Sequence, residues 1–218
     1  MIKIEHTEVV GFEHAIRGMR NSHNSWDKSD SYYTYVEDAE TLQRAPFEFF
    51  VGDEDLKLMK KLAKAGTDHR KFMRMITVYV DVTAPLYWWA EYDTYKVGTV
   101  RNSCSKMHKI HIKLFVLDDF SHEGCDEITL AKDAMRYVIF VCEGLRELFN
   151  TTQEKKYWRA IIELLPESYN QKATLMLNYE VLANMYHSGK NHRLDEWCDF
   201  CKWIETLPYS ELITGEGE

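Results

Sequence analysis

Residues 73–85, MRMITVYVDVTAP, set Val78, Val80 and Val82 against Thr77, Tyr79, Asp81 and Thr83. That period of two predicts a strand with one face in a core and the other toward polar surroundings. Pro85 stops the strand and can open a helix, because the N–H it lacks is unpaired in a first helical turn anyway. Upstream, DEDLKLMKKLAKAG (53–66) spaces Leu56, Met59, Leu62 and Ala63 as one helical face. Asp53 is the expected cap, and Gly66 falls where a left-handed C-terminal residue is wanted. Further upstream, GFEHAIRGMRNSHNSWDKSDSY (11–32) is rich in Gly, Asn, Ser and Asp, and much of it reads as an ordered loop.

Downstream, HKIHIKLFVL (108–117) predicts a second strand through alternating Ile110, Ile112, Leu114 and Val116. Beyond residue 126 the period lengthens. Leu130, Ala134, Val138, Val141, Leu145 and Leu148 mark a long amphipathic helix with Thr129 as its expected cap. Three more helical stripes follow: Tyr157, Ile161 and Leu164; Leu175, Tyr179, Leu182 and Tyr186; Leu194, Trp197, Cys201 and Ile204. Strands early and helices late predict a single α+β domain over 1–218, with a helical layer on a mainly antiparallel sheet.

Composition bounds the function. With 45% apolar residues, 28% charged, 4 Pro and 10 Gly, the chain has the make-up of a folded protein, with disorder expected only in its last few residues. A formal charge of −8 argues against a nucleic-acid partner, whose phosphates need clustered cations. No run nears the roughly 20 apolar residues that span a bilayer, and MIKIEHTEVV does not read as a leader, so a cytoplasmic protein with no membrane partner is expected. Five cysteines suit free thiols in a reducing compartment.

Neither metal reading is strong. Cys198 and Cys201 in WCDFCKW have ligand spacing but no second pair, and Cys201 lies on an apolar stripe, so buried thiols are expected. His108 and His111 would point to opposite faces of a strand. No metal site is therefore expected. Gly-rich phosphate loops, the Gly-x-Ser-x-Gly elbow and His-Glu-x-x-His are all absent. Tyr87, Trp88, Trp89, Tyr92 and Tyr95 could pack a core or stack on a ring, with packing the commoner role.

Read in order, KLAKAGTDHRKF (61–72), the strand ending in Ala84-Pro85, RNSCS (101–105) and ELLPESYNQKATLMLNYEVLANMY (163–186) resemble the flavin-dependent thymidylate synthase family, over about residues 53–207. Its signature, Arg-His-Arg-x-x-Ser-x-Asn-Glu-x-Ser-x-Arg, aligns through Asn102 and Ser105, and Pro166 keeps the family's twelve-residue distance to Asn178. The signature is altered: Tyr95, Lys96 and Val97 stand for Arg-His-Arg, Val100 for the first Ser, Ser103 for Glu, Met107 for the last Arg. Glu180 stands where the family has a nucleotide-binding Arg.

The resemblance implies a homotetramer that reduces FAD with NADPH and methylates dUMP from methylenetetrahydrofolate. It places Asn102 and Ser105 at the base as catalytic residues. His69, Arg70, Tyr95 and Lys96 would hold the flavin, and Arg101, Arg17, Arg20 and Asn178 the nucleotide. Val and Met cannot replace a guanidinium fork on a phosphate, and Glu in place of Arg repels one. The ordinary dUMP pose is therefore not expected. A phosphate pocket could be rebuilt from Lys96, Arg101, Lys106, Arg17 and Arg20, or the scaffold could serve as a non-catalytic binding module.

Overall fold

The computed structural model describes residues 2–37 and 44–215, with the side chains of 36, 37 and 44–47 left aside. The expected frayed end at 216–218 lies outside the described residues. In chain order the elements are β1 (Lys3–Val10), α1 (Phe12–Asn21), β2 (Tyr32–Glu37), β3 (Arg44–Phe50), α2 (Asp53–Lys64), β4 (Thr77–Pro85), α3 (Leu86–Tyr92), β5 (Val100–Ser103), α4 (Lys106–Lys109), α5 (Glu123–Asp126), α6 (Thr129–Thr152), α7 (Lys155–Leu164), β6 (Asn170–Asn178), α8 (Tyr179–Gly189), α9 (Asp195–Glu205) and α10 (Glu211–Thr214).

The expected α+β architecture with an antiparallel sheet is present. Four strands pair in the order β1-β4-β6-β5, each pair antiparallel, and β2 with β3 forms a separate hairpin. Val78, Val80 and Val82 are buried, as the alternation predicts, and opposite them Ala173, Leu175 and Leu177 of β6 line the same core. Each of these Val and Leu side chains contributes about 1.5–3 kcal/mol on burial. Helical residues from both halves complete this core, among them Ile16, Trp88, Leu182, Trp197 and Phe200. A smaller core joins Ile110, Phe115 and Phe120 to Cys142 of α6 and Ile161 of α7.

Several expectations need correction. The central strand β6 comes from the second half of the chain: Leu175 belongs to an alternating strand, and the helical stripe begins only after Asn178. Periods of two and of four overlap at 175–179, and pairing with β4 decides between them. Residues 11–32 are not mainly loop. Phe12, Ala15, Ile16 and Met19 recur at helical spacing and are buried along α1. Gly11 begins that helix at φ 100°, where a Cβ would lie 2.2 Å from the Met75 carbonyl oxygen, so glycine is required on two grounds.

Nor is there a strand at 108–117. Lys106–Lys109 is a short helix, and Ile112 and Leu114 are exposed. The backbone there finds partners on α6 in place of a neighbouring strand: Arg146 and Asn150 donate to the His111 carbonyl, and the Phe115 N–H donates to Glu143. Thr129 and Asp53 are first helical residues, preceded by Ile128 and Gly52 at the cap positions. The cap of α2 comes from elsewhere, since Asp30 accepts the N–H groups of Glu54 and Asp55 at 2.9 and 3.0 Å. Gly66 takes the expected left-handed conformation, at φ 101°.

Candidate functional site

β5 is an edge strand, with Arg101 opposite Leu175 and Asn102 opposite Thr174 of β6. Its two ends open into two clefts. The aromatic run before it is core: Trp88 stacks between Tyr92 and Trp197, and burial pushes the Tyr92 hydroxyl up to about 12. Tyr95 lines one of these clefts while also touching Trp197, at 5.6 Å between centroids, and Tyr87 is half-buried at a separate surface cavity.

At the C-terminal end of β5 lies a cavity of about 270 Å³, walled by Ser105, Lys106, Lys109, Lys113, Gln171 and Lys172. Ser105 Oγ accepts the His108 N–H at 3.1 Å and so fixes the turn into α4. Gln171 Nε2 donates to the Cys104 carbonyl at 2.6 Å. Lys113 pairs with Asp119 at 2.5 Å and Lys172 with Asp81 at 3.0 Å. Lys106 is half-buried, and among the described residues no carboxylate closes an ion pair with it. Burial first, and the nearby Arg101 second, lower its ammonium below the ordinary lysine range against the weaker pull of Glu167.

At the N-terminal end lies a cavity of about 480 Å³, lined by Tyr95, Gly98, Asn178, Glu180, Asn184 and the exposed Arg74. Asn178 caps α8 by accepting the Val181 N–H at 3.0 Å, and it donates to the Gly98 carbonyl at 3.3 Å. Arg70, from the 3-10 turn Arg70–Met75, meets Glu180 in an ion pair at 2.9 Å, and its Nη2 reaches Asn184 Oδ1 at 3.4 Å.

The residues expected to act together are thus divided. Ser105 belongs to the first cleft, and Tyr95 and Asn178 to the second, which Arg70 borders through Glu180. Asn102 is exposed on the strand between them. Arg101 is held by Asp93 at 3.0 Å and lies 4.8 Å above the Trp89 ring. Lys96 and His69 are exposed and line neither cleft. Arg17 and Arg20 sit on α1 beside a third cavity, with Trp26 and Tyr33, away from both. Arg20 is buried with Asp55 and cannot reach a phosphate there.

Sequence reasoning missed Lys109, Lys113, Gln171 and Lys172, because a strand at 108–117 and a helix through 175 would scatter them. Recognising β6 as a strand antiparallel to RNSCS would have brought Lys172 beside Cys104, next to Ser105. Among the described residues no group of three or more His, Cys, Asp and Glu side chains is gathered as for a metal. All five cysteines are free thiols, and burial pushes Cys201 up to about 11. No helix among the described residues is long and apolar enough to cross a membrane.

No family model matches the chain, and no curated protein matches it in sequence. Solved structures do match in fold. The flavin-dependent thymidylate synthase ThyX from Helicobacter pylori, complexed with FAD and dUMP, aligns with a TM-score of 0.67 at 14% identity over 98% of each chain. The UMP/dUMP methylase PolB from Streptomyces cacaoi, bound with 5-Br dUMP, aligns at 0.63 and 15% identity over 100% of this chain and 96% of that one. At such identities the likeness is one of fold, and this chain has the fold of the flavin-dependent thymidylate synthases.

Proposed function

We propose that this chain, folded like the thymidylate-forming flavoproteins, binds a pyrimidine mononucleotide of the uridylate kind at the Ser105 cleft, with the phosphate on Lys106 and Lys109 and the base toward Asn102. One observation carries the reading: a half-buried ammonium without a carboxylate partner among the described residues faces a cavity that also holds Ser105. A desolvated cation of that kind is stabilised most by an anionic ligand. The uridylate ligands of the two fold relatives support the base class. Isothermal titration with dUMP tests it: Lys106→Met should weaken binding by about tenfold or more, one charge-assisted contact being worth roughly 1.5–3 kcal/mol. Unchanged affinity in that variant ends the proposal.

Flavin chemistry is a separate matter. FAD carries two phosphates, and the positions at which the resemblance places its cations hold Tyr95 and Val97, with Lys96 alone charged and exposed, while Arg70 is neutralised by Glu180. These residues do not fit the cofactor's pyrophosphate.

The retained Asn102 and Ser105 support a second reading, flavin-dependent methylation of dUMP with NADPH and methylenetetrahydrofolate, which requires the cofactor's phosphates to be held by residues other than those at the family's cation positions. Release of tritium from C5 of labelled dUMP would establish it; a colourless protein after incubation with FAD and no release leave the binding module. We further propose a cytoplasmic single domain that assembles as a homotetramer, a reading supported by the exposed apolar side chains of α6.

A further inference from the structure

The Ser105 cavity has a buried amide in its wall. Gln171, near the start of β6, falls on the same side of the strand as the core residues Ala173, Leu175 and Leu177, and is only 6% exposed. Both its backbone and its side chain are fixed. The backbone carbonyl accepts the Trp89 indole N–H at 2.9 Å, and the side-chain Nε2 donates to the Cys104 carbonyl at 2.6 Å. The Cys104 N–H donates in turn to the Lys172 carbonyl at 2.9 Å, so the group that holds the amide is itself tied to β6.

That bond settles which way the amide faces. A carbonyl oxygen can only accept, so the nitrogen of Gln171 must point at Cys104, and turning the amide would set oxygen against oxygen. Oε1 is therefore a fixed acceptor, and among the described residues no N–H or O–H is donated to it. A polar side chain buried to this degree normally completes its hydrogen bonds, and the open space beside Gln171 is the cavity. The other polar groups there differ in kind: Lys106, Lys109, Lys113 and Lys172 are cations, two of them already paired with Asp119 and Asp81. The wall is thus complementary to one molecule that carries both an anionic group and a directed N–H.

We infer that Gln171 selects the base of the bound nucleotide: Oε1 accepts the N3–H of a uracil ring, and a cytosine ring is rejected because its N3 presents a lone pair to the same oxygen. A free amide could serve either base by turning over. This one cannot, because Cys104 holds its nitrogen. The inference rests on the nucleotide reading above and adds a specificity-determining residue to it. Of the two amides that could meet the base edge, Gln171 is in the cavity wall and Asn102 is not.

Isothermal titration of the full-length protein with dUMP, dCMP and N3-methyl-dUMP tests it, since the three share sugar and phosphate and differ at the ring. The native chain should bind dUMP about tenfold or more tightly than either analogue, the scale of a hydrogen bond lost with its buried acceptor left unpaired. That comparison needs no variant to fold. Gln171→Met, close in length but without the amide, should weaken dUMP and bring the three affinities together. Lys106→Met should weaken dUMP and dCMP alike and leave their ratio unchanged. If dUMP binds and both analogues bind as tightly, or if Gln171→Met keeps the native ratio, Gln171 does not select the base and the nucleotide reading survives alone. If dUMP fails to bind at millimolar concentration, both are overturned.

Discussion

Arg20 and Asp55 meet at 2.5 Å with only 4% and 0% of their respective surfaces exposed, joining α1 to α2. Burial alone would push the Asp55 carboxyl up. The hydroxyls of Ser29 and Ser31 and the Arg20 guanidinium outweigh it and hold the group below its ordinary value. Backbone N–H groups of Asp30 and Ser31 converge on the same oxygen, so this carboxylate organises the whole 29–31 turn. The residue expected to hold a nucleotide phosphate instead holds two helices together.

A pH dependence follows from that shift. A carboxyl whose folded value is depressed contributes stability that is present above its unfolded value, near 3.9, and is lost as pH falls through the lower folded value. Asp55→Asn should therefore cost about 3–5 kcal/mol at neutral pH by leaving a buried guanidinium unpaired. The difference from the native chain should narrow in thermal melts taken progressively below about pH 4. A gap that stays constant from pH 7 to pH 2.5 would show that charge pairing is not its source.

Asn178 provides a second test, because one side chain performs two tasks. Asn178→Ala should lose both the α8 cap and the tether to Gly98, costing about 1–2 kcal/mol. Asn178→Asp retains the cap acceptor but cannot donate to the Gly98 carbonyl. It should preserve most of the stability, while amide exchange rises in residues 96–99. Equal losses from the two variants would contradict this division.

Gly11→Ala should be among the most damaging single changes, since a Cβ would meet the Met75 carbonyl and the backbone lies in the left-handed region. Strain of about 1–3 kcal/mol from the conformation alone, before the clash, is expected in a denaturant titration. A variant within 0.5 kcal/mol of the native chain, roughly the range of an ordinary surface change, would mean that the chain can shift around it.

These residues also show what could be read from sequence. Val78, Val80 and Val82 declared a strand because one face is wholly buried, and the α9 stripe of Trp197, Cys201 and Ile204 declared a helix for the same reason. Motif order pointed to the fold through Asn102, Ser105 and Asn178. What escaped reading depended on partners distant in sequence. Leu175 belongs to a strand only because β4 pairs with it, α2 is capped by an aspartate far upstream, and Arg20 and Arg101 are cations whose carboxylates, Asp55 and Asp93, the local pattern cannot nominate. Charge type was legible, but which charges were already neutralised was not.

The long helix α6 yields the last prediction. It contributes Cys142 to the smaller core, yet Leu130, Tyr137 and Phe140 are 81%, 67% and 74% exposed. Large apolar groups gathered on one exposed helix are more typical of contact surfaces than of faces left in water. If copies of this chain assemble through α6, Phe140→Asp and Tyr137→Asp together should convert the assembly to monomer mass in light scattering after size exclusion. Removing those rings touches neither Cys142 nor Ile161, so the melting temperature at high dilution should be preserved. Native protein that already runs as a monomer, or a double variant that stays assembled, would remove α6 from the interface.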